Sequence, residues 1–166
     1  MSPCSLGRMH AFQRQDTRQT LAQGLEEYFA ANPGLAKGRL MSPQAREFFR
    51  CHDVAHVVFG CGVALDDEAV VKIASILGTT AGLSVLKGYR LHESLQIYRQ
   101  LRVVDVLLSI MRSVVIVPRT ALRCMAQRAR WPWAEHQRYL HTPLRELRQE
   151  FGIRVAHNNL ATKSDA

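Results

Sequence analysis

The stretch Cys51-His52-Asp53-Val54-Ala55-His56 constrains the fold of this chain most, because it sets ionisable side chains in an apolar sequence. Residues four apart on a helix lie one turn above each other, so His52 and His56 would point the same way. Residues 54, 55 and 57–59 are apolar, which predicts a buried helix. Buried imidazoles and carboxylates are costly unless they are paired or bind a metal. We therefore expect this helix to carry a polar cluster inside the protein.

Glu68 follows His56 after eleven residues, beyond a break at Gly60-Cys61-Gly62. It would have to return to the cluster from the next helix. Two imidazoles and one or two carboxylates that converge on a point form a divalent-metal site. We take His52, Asp53, His56 and Glu68 as candidate metal ligands and catalytic residues. Zinc, iron and manganese all suit this ligand set, and the sequence does not choose among them.

Both features also have ordinary structural explanations. Two histidines four apart occur by chance, and a buried histidine is often a hydrogen-bonded core residue. The run Asp66-Asp67-Glu68 would serve as the acidic first turn of a helix, with Asp66 as its N-cap. The interpretations are compatible, since Glu68 could bind a metal while Asp66 caps the helix.

The pattern of apolar residues predicts an all-α fold, a single-domain bundle of about six helices with the metal site on the second and third. At 166 residues the chain is long enough for one domain with a core. We expect a loose tail over 1–11, the domain over 12–154 and a polar tail over 155–166. The predicted helices are Phe12 to Ala31, one opened by Ser42-Pro43, Asp67 into the eighties, His92 to Val117, a basic segment from Arg119, and Trp133 to Phe151 before Gly152.

The predicted third helix is rich in small residues, and Gly78 and Gly82 would leave a notch on one of its faces. With Leu86, and with Val104 and Leu108 of the fourth helix, this notch is a candidate site for an apolar, chain-like lipid. Close contact between two helices is the alternative explanation for the glycines.

The chain carries a net charge of +8, and most of the excess lies after residue 100. We expect Arg119, Arg123 and Arg130 on one helical face, next to Trp131. Such a segment suits an anionic membrane surface, and a solvated basic helix with the tryptophan in the core is the alternative. The longest uncharged stretch, 73–86, is shorter than the roughly 20 residues that span a bilayer. No nucleic-acid-binding motif accompanies the arginines, so we expect no nucleic-acid partner.

The four cysteines, Cys4, Cys51, Cys61 and Cys124, show no metal-finger spacing. We expect free, reduced thiols in the core of a cytoplasmic protein. The first ten residues lack the long apolar run of a secretory signal, which agrees with that expectation.

The motif His52-Asp53-x-x-His56, eleven residues and Glu68 resembles the metal signature of the fourth coenzyme Q biosynthesis protein family. The stretch from Pro143 to Ile153 is similar as well, and the likeness runs from about Gly24 to about Arg154. Two positions depart from the family pattern. Arg50 stands where an acidic residue is frequent, and Asp67 stands where a glycine often precedes the glutamate. These departures concern local substrate contacts more than the metal site.

The resemblance implies zinc as the usual metal and a role in ubiquinone biosynthesis. It implies a peripheral protein of the inner membrane that binds a polyprenylated hydroxybenzoate or another isoprenoid lipid. Two activities are open: oxidative decarboxylation at the first ring carbon, or organisation of the other quinone-biosynthesis enzymes. The predicted partners are this lipid, those enzymes and an anionic membrane surface, with a homodimer as a further candidate.

Three rival functions are considered. A non-enzymatic isoprenoid-binding scaffold with a structural metal is the strongest. A metalloprotease-like hydrolase is disfavoured, because Asp53 replaces the glutamate that acts as base and no third histidine follows at the expected spacing. A phosphohydrolase of the His-Asp type would need a further upstream histidine and downstream aspartate, which the sequence does not show.

Overall fold

The computed structural model describes residues 9–36, 42–90 and 103–155. Within these ranges there are seven α-helices and no β-strand, which confirms the predicted all-α class. The helices are α1 (Leu21–Ala31), α2 (Pro33–Ala36), α3 (Pro43–Phe59), α4 (Leu65–Leu77), α5 (Val85–Arg90), α6 (Val103–Met125) and α7 (Leu144–Phe151). Three short 3₁₀ helices cover Ala11–Gln13, Gly82–Ser84 and His136–Tyr139.

Helix α3, which carries the histidines, begins and ends as its sequence predicts. Ser42 is the N-cap, and its Oγ accepts a hydrogen bond from the Ala45 N–H at 3.2 Å, with Pro43 at the first position. Gly60 ends the helix with a left-handed φ of 70°, a conformation that favours glycine. Residues 54–59 are almost entirely buried, so this end of α3 forms the centre of the core.

Helix α4 differs from the prediction at both ends. Its N-cap is Ala64, with no side-chain cap, so the prediction that Asp66 caps the helix was wrong. Asp66 instead lies in the acidic first turn with Asp67 and Glu68. The helix ends at Leu77, not in the eighties, because the chain then pairs with a distant segment. The Thr80 N–H donates to the Trp131 carbonyl at 2.9 Å, and the Trp131 N–H donates to the Gly78 carbonyl at 2.8 Å.

The first and last helices are shorter than predicted. Between the 3₁₀ helix at Ala11–Gln13 and α1, residues 14–20 are not helical, although the prediction started one helix at Phe12. Thr20 starts α1 through a capping box with Gln23. Backbone hydrogen bonds join this entry to the start of α7, from Leu144 N–H to the Gln19 carbonyl at 2.8 Å and from Leu21 N–H to the Thr142 carbonyl at 3.1 Å. The predicted helix from Trp133 is therefore a 3₁₀ helix and a turn before α7, which ends at Gly152 as predicted.

Helix α6 continues through Pro118 to Met125, whereas the prediction divided it before the proline. A proline removes the hydrogen bond to the carbonyl four residues earlier, here that of Val114. Val114 is 72% exposed, so the missing hydrogen bond lies in a turn of the helix that faces solvent. Arg130 lies beyond the helix, so the predicted face of Arg119, Arg123 and Arg130 does not exist as one helical face. Residues 92–102 of the predicted helix lie outside the described part.

Trp131 is fully buried and packs against Tyr139 and Phe151, so it belongs to the core and not to a membrane interface.

Cys51, Cys61 and Cys124 are free and buried, as predicted, and Cys4 lies outside the described residues. Ala11, in the predicted N-terminal tail, begins a 3₁₀ helix, and Val155, in the predicted C-terminal tail, is buried. The predicted domain bounds stay a prediction. In the described part of the chain, no helix is both long and apolar enough to cross a membrane.

Arg148 of α7 is completely buried and joins three parts of the chain. Its guanidinium donates to the carbonyls of Val58 at 2.9 Å and Val57 at 2.8 Å, in the last turn of α3. It also donates to the carbonyls of Phe12 and Arg14, at 2.6 and 2.5 Å. The last carbonyls of a helix lack partners within the helix, and a cation there is favourable. Arg148 therefore caps the end of α3 from another helix.

Replacing Arg148 with methionine should lower the free energy of unfolding by about 3 kcal/mol or more, because the carbonyl of Arg14 and the buried carbonyls of Phe12, Val57 and Val58 lose a charged donor. Equilibrium urea denaturation measures this loss. Arg145→Met is the matched control on the same helix, since Arg145 is exposed and pairs with the exposed Glu146. We expect the control to change stability by less than about 0.5 kcal/mol. Equal stabilities of the two variants would contradict the role of Arg148.

Candidate metal centre

Helices α3 and α4 bring His52, His56 and Glu68 together. The two imidazoles lie one turn apart on α3, with ring centroids separated by 4.7 Å. Glu68 reaches them from the first turn of α4, across the Gly60–Gly62 break, as the spacing indicated. His56 Nε2 lies 3.3 Å from Glu68 Oε1, and His52 Nε2 lies 4.0 Å from Glu68 Oε2. Each oxygen of one carboxylate therefore faces a different imidazole.

The orientation of His56 is set by the loop between α3 and α4. His56 Nδ1 lies 2.8 Å from the Gly62 carbonyl oxygen, so we assign the ring proton to Nδ1, which donates to that carbonyl. The Gly62 N–H in turn donates to Asp67 Oδ2 at 3.0 Å. A carbonyl that accepts from one nitrogen of a histidine is the usual support for metal binding by the other nitrogen. The loop therefore presents the lone pair of Nε2 to Glu68.

The Nε2 atom of His56 is buried and makes no hydrogen bond. Glu68 Oε1 lies 3.3 Å from this atom, so a doubly protonated His56 forms an ion pair there, whereas the neutral ring with its proton on Nδ1 places two acceptors in contact. A cation between the two atoms removes that conflict and provides the partner that a buried polar atom requires. This contact is the clearest indication that the three side chains fit a metal ion.

The charges of the site also suit a divalent cation. Burial, and then a positive charge on His56 when that ring is protonated, lowers the pKa of His52 to about 3, so His52 is neutral at ordinary pH. For Glu68, burial raises the pKa, but a hydrogen bond from the protonated form of His56 and the positive charges of the protonated imidazoles lower it by more, and the carboxyl is ionised. The side chain of Glu68 is 32% exposed, whereas that of His56 is 1% exposed. The site is thus open to solvent on the side of Glu68, where a water or substrate could bind.

Asp53 does not join this group, in which the ligand atoms all lie within 4.8 Å of one another. One residue along a helix turns the side chain by about 100° from its neighbour, here His52. Asp53 instead acts on Tyr28, whose pKa is raised by burial and then by the charge of Asp53. Tyr28 is buried and stacks on His56, with ring centroids 5.3 Å apart. Asp53 as a fourth ligand stays a prediction.

Gly78 and Gly82 do not form the predicted notch on one helical face, because α4 ends before both glycines. A lipid site at these residues stays a prediction. Gly78 is the C-cap of α4, and a Cβ there would lie 3.1 Å from Phe59 Cζ, so this glycine permits close packing. Gly82 lies in a separate 3₁₀ helix, with open space around it, and Leu86 is half-exposed on α5. The side chains of Val104 and Leu108 lie outside the described part.

The sequence did not predict two features next to this site, which are a tyrosine that stacks on His56 and a second group of ionisable side chains. Tyr28 stacks on His56 from α1, and no local pattern predicts that contact. A second group, Glu47, Cys51 and His136, lies beside the first. Glu47 and Cys51 are four residues apart on α3, which was a detectable signal, but His136 is 85 residues further along the chain. Burial and then the charge of Glu47 raise the pKa of the Cys51 thiol to about 12, which disfavours a free nucleophile.

Comparisons of this chain with protein-family models, with curated proteins and with solved structures found no match.

His56→Ala and Glu68→Gln should each remove one metal ion per chain, because each variant loses one of three converging ligands. We expect the affinity for zinc to fall by about 100-fold or more. Elemental analysis of zinc-loaded protein after dialysis against a weak chelator measures the loss, and circular dichroism checks the helical content. His141→Ala, at an exposed histidine, is the control and should keep the full amount of metal. A His56→Ala protein that binds as much zinc as the control would contradict the site.

Proposed function

We propose that this protein belongs to ubiquinone biosynthesis and holds one divalent ion, preferably zinc, at His52, His56 and Glu68. In this proposal it binds a polyprenylated hydroxybenzoate at the cytoplasmic face of the inner membrane and acts on the ring. The observation that carries the metal site is the buried His56 Nε2 atom, which has no hydrogen bond and lies 3.3 Å from Glu68 Oε1. The resemblance of the motif His52-Asp53-x-x-His56…Glu68 carries the choice of pathway.

The residues around the site have distinct roles in this proposal. When bound, the ion would act as a Lewis acid that stabilises negative charge on the oxygens of the ring substrate. The Gly62 carbonyl keeps His56 in the tautomer that binds metal, and Tyr28 packs against the same imidazole and limits its rotation. Glu68, the most exposed of the three ligands, marks the side from which the ring would approach. The reaction class is oxidative decarboxylation: the bond from the ring to the carboxyl carbon breaks, carbon dioxide leaves, and a hydroxyl group from water takes its place. Dioxygen would accept the two electrons and leave as hydrogen peroxide.

Exposed apolar side chains support binding at a membrane surface. On α6, Val114, Leu122 and Met125 are 72%, 66% and 77% exposed and follow one face of the helix. Leu83, before α5, is 72% exposed, and Arg119 lies among the exposed residues of α6. Large apolar residues that stay in solvent often mark an interaction surface, and adjacent arginines suit anionic lipid headgroups. The partner enzymes of the proposal would meet the protein at this membrane.

The deep burial of the histidines favours a second candidate function. His52 is 7% exposed and His56 is fully buried, as expected where a metal only stabilises the fold. The second candidate is a non-enzymatic isoprenoid-binding scaffold that organises the other quinone-biosynthesis enzymes. In both candidate functions the protein binds the metal and the prenylated lipid. Only in the first does it convert that lipid to a product.

Zinc-, manganese- and iron-loaded protein should convert a polyprenylated hydroxybenzoate, presented in anionic vesicles under air, with at least one of the three metals. Glu68→Gln should lower the rate by about 100-fold or more, since the ligand that faces the substrate is lost. Mass spectrometry of extracted lipid measures the product, and His141→Ala is the matched control.

The same assay distinguishes the enzyme from the scaffold. Lipid that binds the vesicle-bound protein without conversion by any metal would support the scaffold and overturn the enzymatic proposal. Failure to bind the prenylated lipid at all, in protein that holds its metal, would contradict both candidates.

A further inference from the structure

A second group of metal-binding side chains lies on another face of α3. Glu47 and Cys51 are one turn apart on that helix, and His136 comes from the 3₁₀ helix His136–Tyr139. Cys51 Sγ lies 3.5 Å from Glu47 Oε1 and 3.8 Å from His136 Nδ1. The three ligand atoms all lie within 4.8 Å of one another, and none of them belongs to the site at His56.

These distances are close to those of ligands that already share one ion. With zinc–sulfur bonds of about 2.3 Å and zinc–nitrogen or zinc–oxygen bonds of about 2.1 Å, two tetrahedral ligands lie about 3.5 Å apart. The observed separations from Cys51 Sγ are 3.5 and 3.8 Å. A metal ion could therefore be bound with small side-chain rotations and without movement of α3.

The surroundings hold each side chain in a suitable orientation. Cys51 and His136 are 1% and 2% exposed, so neither is free to turn into solvent. Glu47 is about half exposed, and its second oxygen, Oε2, accepts a hydrogen bond from Arg50 at 2.6 Å. That pairing leaves Oε1 directed at Cys51. The carboxylate of Glu47 is the ligand on the solvent side of the group. A fourth ligand, such as water, could bind from that side.

We propose that Glu47, Cys51 and His136 form a second metal site, which takes zinc or an ion of similar softness through a cysteine thiolate. Binding forms a metal–sulfur bond, and the thiol proton leaves to water without any change of oxidation state. A thiolate and an imidazole disfavour magnesium and calcium, which prefer oxygen ligands. This site is independent of the proposed quinone chemistry, because it uses none of the same ligands. The competing explanation is a buried thiol that only donates a hydrogen bond to Glu47.

Cobalt(II) distinguishes the two sites, because only a thiolate ligand produces sulfur-to-cobalt charge-transfer absorption in the near ultraviolet. The full chain should bind two cobalt ions and show this absorption. Cys51→Ser should lose the absorption and one ion, and His56→Ala should keep the absorption and lose the other ion. Cys124→Ser, at a buried cysteine of the same core, is the matched control and should resemble the unmodified chain.

Glu47→Gln provides a variant with little risk to folding, since Glu47 is at the surface. It should keep the absorption but require about tenfold more cobalt for half-saturation. Absence of the absorption in the unmodified chain, or its persistence in Cys51→Ser, would overturn this proposal. An absorption that is present while His56→Ala loses no ion would uphold this site and contradict the site at His56.

Discussion

The buried guanidinium of Arg148 is the interaction on which the arrangement of this protein most depends. It donates to the carbonyls of Val57 and Val58, and to those of Phe12 and Arg14 before α1. Burial lowers the pKa of this guanidinium to about 10, so its charge is retained at neutral pH. Because Val57 directly follows His56, the same contacts fix the end of α3 on which the imidazole sits. The last turn of this helix is therefore held by tertiary contacts before any metal is considered.

The site combines a rigid helix with a short loop. The two histidines obtain their common direction from the α-helix itself, whereas Glu68 depends on the reversal of the chain at Gly60. The loop that makes this reversal also supplies the Gly62 carbonyl, which orients His56. The loop from Gly60 to Gly62 therefore reverses the chain, sets the tautomer of His56 and positions the carboxylate of Glu68. The second group, at Cys51, depends on the same helix but on a different and more distant partner, His136.

The sequence could predict those features that depend on residues close together in the chain. The start of α3 at Ser42-Pro43, its end at Gly60 and the pairing of His52 with His56 follow from caps and helical spacing. The non-helical residues 14–20 could not be predicted in this way, because they pair with the start of α7 through backbone hydrogen bonds. The early end of α4 similarly reflects pairing with Trp131. Contacts between segments far apart in the chain override local helical preference, and they also brought Tyr28 to His56.

The most direct test of the metal centre is anomalous diffraction at the zinc absorption edge from crystals of the zinc-loaded protein. We predict an anomalous peak about 2.0–2.2 Å from His52 Nε2, His56 Nε2 and a Glu68 carboxylate oxygen. The distance from this peak to the Asp53 carboxylate shows directly whether Asp53 is a fourth ligand. Zinc-loaded crystals without a peak between these three side chains would contradict the central claim. His52 and His56 would then be core histidines, and Glu68 an acidic residue of the first turn of α4.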